Sequence, residues 1–207
     1  MQISMRPPAA AEAPVRIEAR TLDTTGVVQA VASSASHRFS KDLQLIIRLV
    51  NGHGVEGDAH AGPFIRHRYL ARQQPLMPNN RQVHLIQSEL FEALRTEGFD
   101  VSPGELGENI TTRGIDLLKL PLGSLLRIGP EVGPCAIVEL TGLRTPCGAI
   151  DKFKEKLKRA MIVRSGDQVT FRAGVLGVVR ASGEVGKGDA ITVELPRGVL
   201  LPLPAIG

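Results

Sequence analysis

The hydrophobic residues of this chain fall mostly into short runs, separated by segments that carry Gly, Pro, Asn and Asp. Short apolar runs bounded by such turn residues are typical of β-strands. The pattern predicts strands at residues 15–22, 26–32, 45–50, 83–86, 108–112, 124–128, 136–140, 169–172, 175–180 and 191–195.

Two other segments carry apolar residues at helical spacing. The first follows Ser88, a common N-cap residue type, and ends at Gly98; its apolar stripe is Leu90, Phe91 and Leu94. The second spans about 149–162, and its apolar face is Ile150, Phe153, Leu157 and Met161. Many short strands with only two helices predict a mainly β fold, a β-barrel-like mixed sheet with a few α-helices.

The ends of the chain and one internal stretch lack these patterns. Residues 1–14 are rich in Ala and Pro and predict a disordered arm, followed by a single domain at 15–200 and a loose tail at 201–207. Residues 51–80 predict a long loop, which in a compact domain is usually functional or mobile. Residues 183–189 predict a turn-rich connection.

The charge and the aromatic content of the chain limit which classes of binding partner are expected. The net charge of +4 comes from 25 basic residues set against 21 acidic ones, all spread along the chain. Such a spread is weak support for a nucleic acid or a membrane surface. The 3% aromatic content argues against a stacking surface for single-stranded nucleic acid. We therefore expect no nucleic-acid and no membrane partner.

Two cysteines in 207 residues do not make a disulfide framework. The first residues lack the apolar core of a signal peptide, and no apolar run approaches the length of a membrane span. The cytoplasm is the expected compartment, with both thiols free unless a metal holds them.

The segment ELTGLRTPCGAID (139–151) places Cys147 at a predicted strand-to-helix junction. Backbone N–H groups, the positive end of a helix dipole and the nearby Arg144 would all favour the thiolate, the form that attacks, carries sulfur or ligates a soft metal. The alternative is a small buried residue with an inert thiol, and the residues alone leave both open. Cys135 has none of these features and is expected to be structural.

Two Gly-punctuated segments also carry polar residues. In GELGENITTRGIDL (104–117) the glycines would let backbone N–H groups approach an anionic ligand, and Asn109 can donate and accept hydrogen bonds; a simple turn before a strand is the alternative. In GVEGDAHAG (54–62), Asp58 and His60 would share a face of an extended chain. These two side chains could bind the polar edge of a ligand, or they could simply form a turn. They could also belong to a zinc or iron site completed by His53, His67 or His84, although their spacing is not one that requires a metal.

In their order along the chain, these segments resemble the MOSC family, named for the C-terminal domain of molybdenum cofactor sulfurases. The resemblance spans roughly 26–196 and is carried by GVEGDAHAG, RQVHLIQSE (81–89), GELGENITTRGIDL, LPLG (120–123), LLRIG (125–129), ELTGLRTPC (139–147) and GVLGVVRASGEVGKGDAITVELP (174–196). It implies a β-barrel-like fold with a cleft. It also implies a standalone bacterial-type member, independent of pyridoxal phosphate, without the extra domains of the large sulfurases.

The resemblance further implies a molybdenum cofactor (molybdopterin), with Cys147 as the ligand to molybdenum. The implied cofactor-binding residues are Arg144, Asn109, Gly107, Glu105, Thr111, Asp58 and His60. The expected reaction is reduction of N-hydroxylated compounds, with electrons from a separate redox partner because no ferredoxin-like segment is present. One alternative is a sulfur carrier that receives a persulfide on Cys147 from a cysteine desulfurase, and another is a non-catalytic ligand-binding module.

Overall fold

The computed structural model describes residues 21–66, 73–130, 132–166 and 168–206 of the chain. The predicted arm at 1–14 and His67 lie outside these residues. The strands are β1 (Thr21–Ser33), β2 (Asp42–Gln44), β3 (Ile46–Val50), β4 (Gly54–Val55), β5 (Val83–Gln87), β6 (Ile110–Arg113), β7 (Leu125–Ile128), β8 (Ala136–Arg144), β9 (Ile162–Ser165), β10 (Gln168–Phe171), β11 (Val175–Ala181), β12 (Gly183–Gly186), β13 (Ala190–Glu194) and β14 (Ala205–Ile206). The described residues form three short α-helices, α1 (Glu89–Thr96), α2 (Gly148–Phe153) and α3 (Leu157–Ala160), and a 3-10 turn at Leu117–Lys119.

Seven of the strands form a closed barrel in the order β11–β5–β6–β1–β13–β7–β8, and β8 pairs again with β11. All neighbours in this ring are antiparallel except β5 and β6. β2 adds to β1, and β14 adds to β8 in parallel. Two small sheets, β12–β3–β4 and β10–β9, complete the structure. The prediction of a mainly β, barrel-like fold is confirmed.

Two hydrophobic clusters stabilise this arrangement. The larger fills the barrel with fully buried Val, Leu and Ile side chains from its strands, including Leu126, Val138 and Leu140. Strands with one buried face alternate buried and more exposed residues, because successive side chains point to opposite faces of a sheet. The smaller cluster packs the three helices against Ile86 and Leu106, outside the barrel.

The first helix forms as predicted, after Ser88, with Leu90, Phe91 and Leu94 buried. The second predicted helix is wrong as one continuous element: it breaks into α2 and α3 around Lys156, whose φ is 66°. The break lets the Asp151 carboxylate accept a hydrogen bond from the Lys158 N–H at the start of α3, at 2.8 Å. The apolar residues of both short helices still reach the smaller cluster.

Three further predictions about local structure need correction. Ile162, predicted to end the second helix, instead begins β9, which pairs with β10 in a hairpin. Part of the predicted turn-rich segment at 183–189 forms β12, because Gly183 allows the chain to pass the Ala136 backbone; a Cβ at Gly183 would lie 2.7 Å from the Ala136 nitrogen. The loose tail is also wrong over its described part, since β14 pairs with β8 and Leu203 is buried.

Candidate functional site

A cleft of about 410 Å³ opens beside the end of β8. Its wall combines the chain after β1 (37–41), the loop carrying His60, the start of β5, the 104–109 turn and the segment from Arg144 to Ala149. The volume is within the range of small-molecule sites. The cleft therefore brings together residues that are far apart in the sequence.

The lining of this cleft is cationic. Four basic side chains face it, namely Arg38, Lys41, Arg81 and Arg144, and no carboxylate is among the described lining residues. An apolar portion is formed by Phe39, Ala149, Leu176 and Ile206. Positive charge in a partly desolvated cleft attracts anionic groups of a ligand.

The positive charge of Arg144 is not paired with a carboxylate of the described residues. Its Nη1 donates a hydrogen bond to the Leu106 carbonyl at 2.7 Å, and among the described residues no carboxylate forms an ion pair with it. Burial lowers the pKa of Arg144, while negative charge at Cys147 and Glu108 acts in the opposite direction. The pKa of Arg81 is lowered by burial and then by Arg144. An anion in the cleft would relieve this repulsion between the cations.

His84 lies behind Arg144 and orients it. The His84 Nε2 lies 2.8 Å from the Ala173 carbonyl, which can only accept, so Nε2 carries the proton. Nδ1 is then an acceptor, and the Arg144 Nη1 is 3.5 Å away. Burial and the charge of Arg144 hold the pKa of His84 well below its ordinary value, so the ring stays neutral.

Cys147 lies on the cleft wall and is exposed. It occupies the N-cap position of α2, three residues after the end of β8, and the Ile150 N–H donates to its carbonyl at 3.2 Å. The predicted position at a strand-to-helix junction is confirmed. Cys135 is only partly buried and does not line the cleft.

The Asp58 carboxylate does not line the cleft but anchors the residues that do. Its Oδ2 accepts hydrogen bonds from the Lys41 Nζ at 2.6 Å, the Asn109 Nδ2 at 3.1 Å and the Ser34 N–H at 3.2 Å. Its Oδ1 accepts from the His60 N–H at 3.0 Å, and the His60 Nδ1 is 3.3 Å away. Burial alone would raise the pKa of Asp58, but the bonds from His60 and Lys41 hold it well below the ordinary carboxyl range.

Asn109 and Gly107 both reach the cleft, but their polar groups are used internally. The Asn109 Nδ2 donates to Asp58 and to the Ala32 carbonyl, and its Oδ1 accepts from the His84 N–H. The Gly107 N–H donates to the Gly104 carbonyl. The Gly107 N–H is therefore used within its own turn, and a role of this turn in binding a ligand stays a prediction. Gly107 also serves packing, since a Cβ at Gly107 would lie 2.4 Å from the Phe39 carbonyl oxygen.

Glu105 and Thr111 are not among the cleft residues. The Glu105 carboxylate accepts the Ser102 N–H at 2.9 Å, within its own turn. The Thr111 hydroxyl donates to the Glu108 carboxylate at 3.1 Å. Glu108 itself is fully buried, and burial raises its pKa. Of the sequence-predicted site residues, Cys147, Arg144, Asn109, Gly107 and His60 meet at the cleft, and their binding roles stay predictions.

Several cleft residues carry no sequence signal of their own. His37, Arg38 and Lys41 follow β1 in a segment without periodicity. Arg81 begins the segment RQVHLIQSE, and only its place directly before a buried strand could have drawn attention to it. Among the described residues, no group of three or more His, Cys, Asp or Glu side chains is placed to hold a metal ion. That part of the chain therefore offers no support for the zinc or iron alternative.

A model of the MOSC domain family matches residues 56–192, more than half of the chain. The chain belongs to the MOSC family. The matched range contains Cys147, Arg144, Asn109 and Asp58, whereas the 37–41 segment and β14 lie outside it. No helix in the described part of this MOSC protein is long and apolar enough to cross a membrane.

Solved structures share the fold of this MOSC chain. The YuaD protein from Bacillus subtilis is 19% identical with a TM-score of 0.65, over 87% of this chain and 100% of YuaD. YiiM from Geobacillus stearothermophilus is 18% identical with a TM-score of 0.54, over 86% of this chain and 77% of YiiM. YiiM from Escherichia coli is 20% identical, also with a TM-score of 0.54, over 85% and 73%. Identity this low supports a common fold and no more. Comparison with curated proteins found no match.

The Asp58 anchor generates a prediction about stability and pH. We expect Asp58→Asn to lower the free energy of unfolding by about 3 kcal/mol at pH 7, because it leaves the buried Lys41 ammonium without its counterion. The folded-state pKa of Asp58 is depressed, so this stabilisation is present above the ordinary carboxyl range and is lost as the pH falls. The difference from wild type should shrink below about pH 4, measured by urea denaturation.

Glu56→Gln is the matched control, because Glu56 forms an exposed ion pair with Arg48 at 3.9 Å. We expect it to change the free energy of unfolding by less than about 0.5 kcal/mol. An Asp58→Asn effect that is as small, or that does not change with pH, would contradict the assignment of Asp58 as an anchor.

Proposed function

We propose that this MOSC protein binds a molybdenum cofactor in the cleft, with the Cys147 thiolate as a ligand to molybdenum. We further propose that it reduces N-hydroxylated compounds with electrons from a separate redox protein. The observation that carries the proposal is an exposed thiol on the wall of a cleft whose described lining holds four basic side chains and no carboxylate.

The donor set suits the cofactor. A thiolate is a soft ligand of the kind that soft metal centres select, and guanidinium groups bind phosphate bidentately. Arg144 is the side chain that would hold the anionic part of a phosphorylated pterin, because Lys41 is already committed to Asp58 whereas no described carboxylate pairs with Arg144. When bound, the cofactor supplies the redox chemistry, and the protein supplies position and charge.

The side chains around the cleft offer a route for protons. Cleavage of an N–O bond by reduction consumes protons as well as electrons, so a group at the cleft has to deliver them. His60 lines the cleft with 40% of its side chain exposed, and its Nδ1 lies 3.3 Å from Asp58. In this proposal His60 takes a proton from solvent and passes it to a substrate, and its contact with Asp58 fixes the ring orientation.

A first prediction concerns metal content. Protein expressed with molybdate in a cofactor-competent host should contain molybdenum and pterin, and Cys147→Ser should lose most of the molybdenum because it removes the soft donor. Elemental analysis and pterin fluorescence measure both. Cys135→Ser is the control, since Cys135 does not line the cleft, and should match wild type. Wild-type protein without molybdenum or pterin after mild anaerobic purification would overturn the proposal.

A second prediction concerns the Arg144 guanidinium. Arg144→Met keeps an unbranched apolar stem and removes the guanidinium with its charge, so we expect binding of inorganic phosphate to weaken about 10-fold or more, the usual worth of a charge-assisted hydrogen bond. Titration calorimetry at low salt measures the dissociation constant. Arg48→Met removes an exposed arginine outside the cleft and should leave the dissociation constant of phosphate unchanged. If both substitutions weakened phosphate binding equally, net charge alone would explain the binding, and the role proposed for Arg144 would be wrong.

A second candidate function is sulfur transfer, favoured by the exposure of Cys147. A sulfur carrier needs an accessible thiol and a donor desulfurase but no bound metal. If this candidate is correct, incubation with a cysteine desulfurase and cysteine should add one sulfur atom to the protein, and Cys147→Ser should abolish the gain. Intact mass spectrometry measures it. No gain in mass on the wild-type protein would exclude this function.

A further inference from the structure

The strand β14 borders the end of β8 on the side opposite β11. The Leu143 N–H donates to the Pro204 carbonyl at 2.8 Å, and the Thr145 N–H donates to the Ile206 carbonyl at 3.1 Å. The Thr145 hydroxyl donates to that same carbonyl at 3.2 Å. On the other side, the Arg144 N–H donates to the Gly174 carbonyl at 3.0 Å. The segment that carries Arg144 and Thr145 into the cleft is therefore held from both sides.

The sequence of β8 is adapted to this contact. A Cβ at Gly142 would lie 2.4 Å from the Ile206 Cδ1 and 2.6 Å from the Pro204 carbonyl oxygen. Only a glycine lets β14 lie this close, because any side chain at Gly142 would push it away. Leu203 anchors the approach by packing against the barrel core.

The contact reaches Cys147 through two residues. Thr145 is bonded twice to the Ile206 carbonyl, and Pro146, which follows it, is buried and has a fixed φ. Cys147 comes directly after this stiff dipeptide. The Ile206 side chain itself lines the cleft that contains Cys147. We propose that Ile206 is a positioning residue: through Thr145 its carbonyl sets where the Cys147 thiol lies, and its side chain forms part of the cleft wall.

This inference deepens the proposed function, but it is tested on the thiol without any cofactor, so the two can fail separately. Thr145→Val keeps the shape of the side chain and removes the hydroxyl. In a Cys135→Ser background we expect Cys147 to react about 2- to 10-fold faster with the disulfide reagent DTNB, a change that matches the loss of one hydrogen bond. Amide hydrogen exchange of the segment around 143–147 should accelerate by a similar factor.

Two variants separate positioning from general destabilisation. Thr145→Ser retains the hydroxyl and should restore the wild-type DTNB rate. Thr141→Val removes the same kind of bond from the same strand, where the Thr141 hydroxyl donates to the Asn80 carbonyl at 2.6 Å, away from β14. We expect it to leave the reactivity of Cys147 unchanged even where it lowers the melting temperature.

Gly142→Val provides an independent disruption, since its side chain would displace β14 with Thr145 intact. It should raise the DTNB rate at least as much as Thr145→Val, in protein whose circular dichroism shows a folded barrel. A Cys147 reactivity that is the same in Thr145→Val, Thr141→Val and wild type would overturn the inference, whether or not molybdenum is found in the protein. Should Gly142→Val fail to fold, the three threonine variants decide the question.

Discussion

The buried carboxylate of Asp58 connects four residues that are spread from Ser34 to Asn109 in the sequence. It accepts hydrogen bonds from the end of β1 at Ser34, from Lys41, from His60 and from Asn109. A charge with almost no exposure to solvent is tolerated only when it is paired and fully hydrogen-bonded. These four donors therefore have to occupy fixed places. Three of them, Lys41, His60 and Asn109, belong to residues that line the cleft.

The pairing of Lys41 with Asp58 affects which basic side chains of the cleft can attract an anion. Lys41 has its counterion within the protein, so it contributes shape and hydrogen bonding more than free charge. Arg144 has no carboxylate partner within the described part of the chain, and the neighbouring His84 is kept neutral by burial and by the guanidinium itself. Among these, Arg144 is thus the cation that attracts an anion most directly, on the same cleft wall as the cysteine. A small anionic cofactor would meet positive charge and a soft donor at the same end of the cleft.

Packing glycines let these segments approach one another. Gly107 allows its turn to press against the Phe39 backbone, and Gly142 allows β14 to lie beside β8. The first contact holds the segment that carries Arg38 and Lys41, and the second holds the segment that leads to Cys147. Both 37–41 and β14 lie outside the range matched by the family model. The matched range thus holds most of the barrel strands together with Cys147 and Arg144, whereas the barrel strand β1 and part of the cleft wall come from flanking segments.

The sequence by itself determined the class of fold, most of the barrel strands, the first helix and the junction at which Cys147 lies, because these depend on local periodicity and turn residues. It could not show that the predicted second helix breaks at Lys156 or that residues 205–206 add to β8, since both result from contacts with distant residues. It identified Asp58 and Asn109 as polar residues of interest but not their use as internal anchors. Only the tertiary structure decided which cations surround the thiol, because charge and proximity across strands depend on how the barrel closes and not on spacing along the chain.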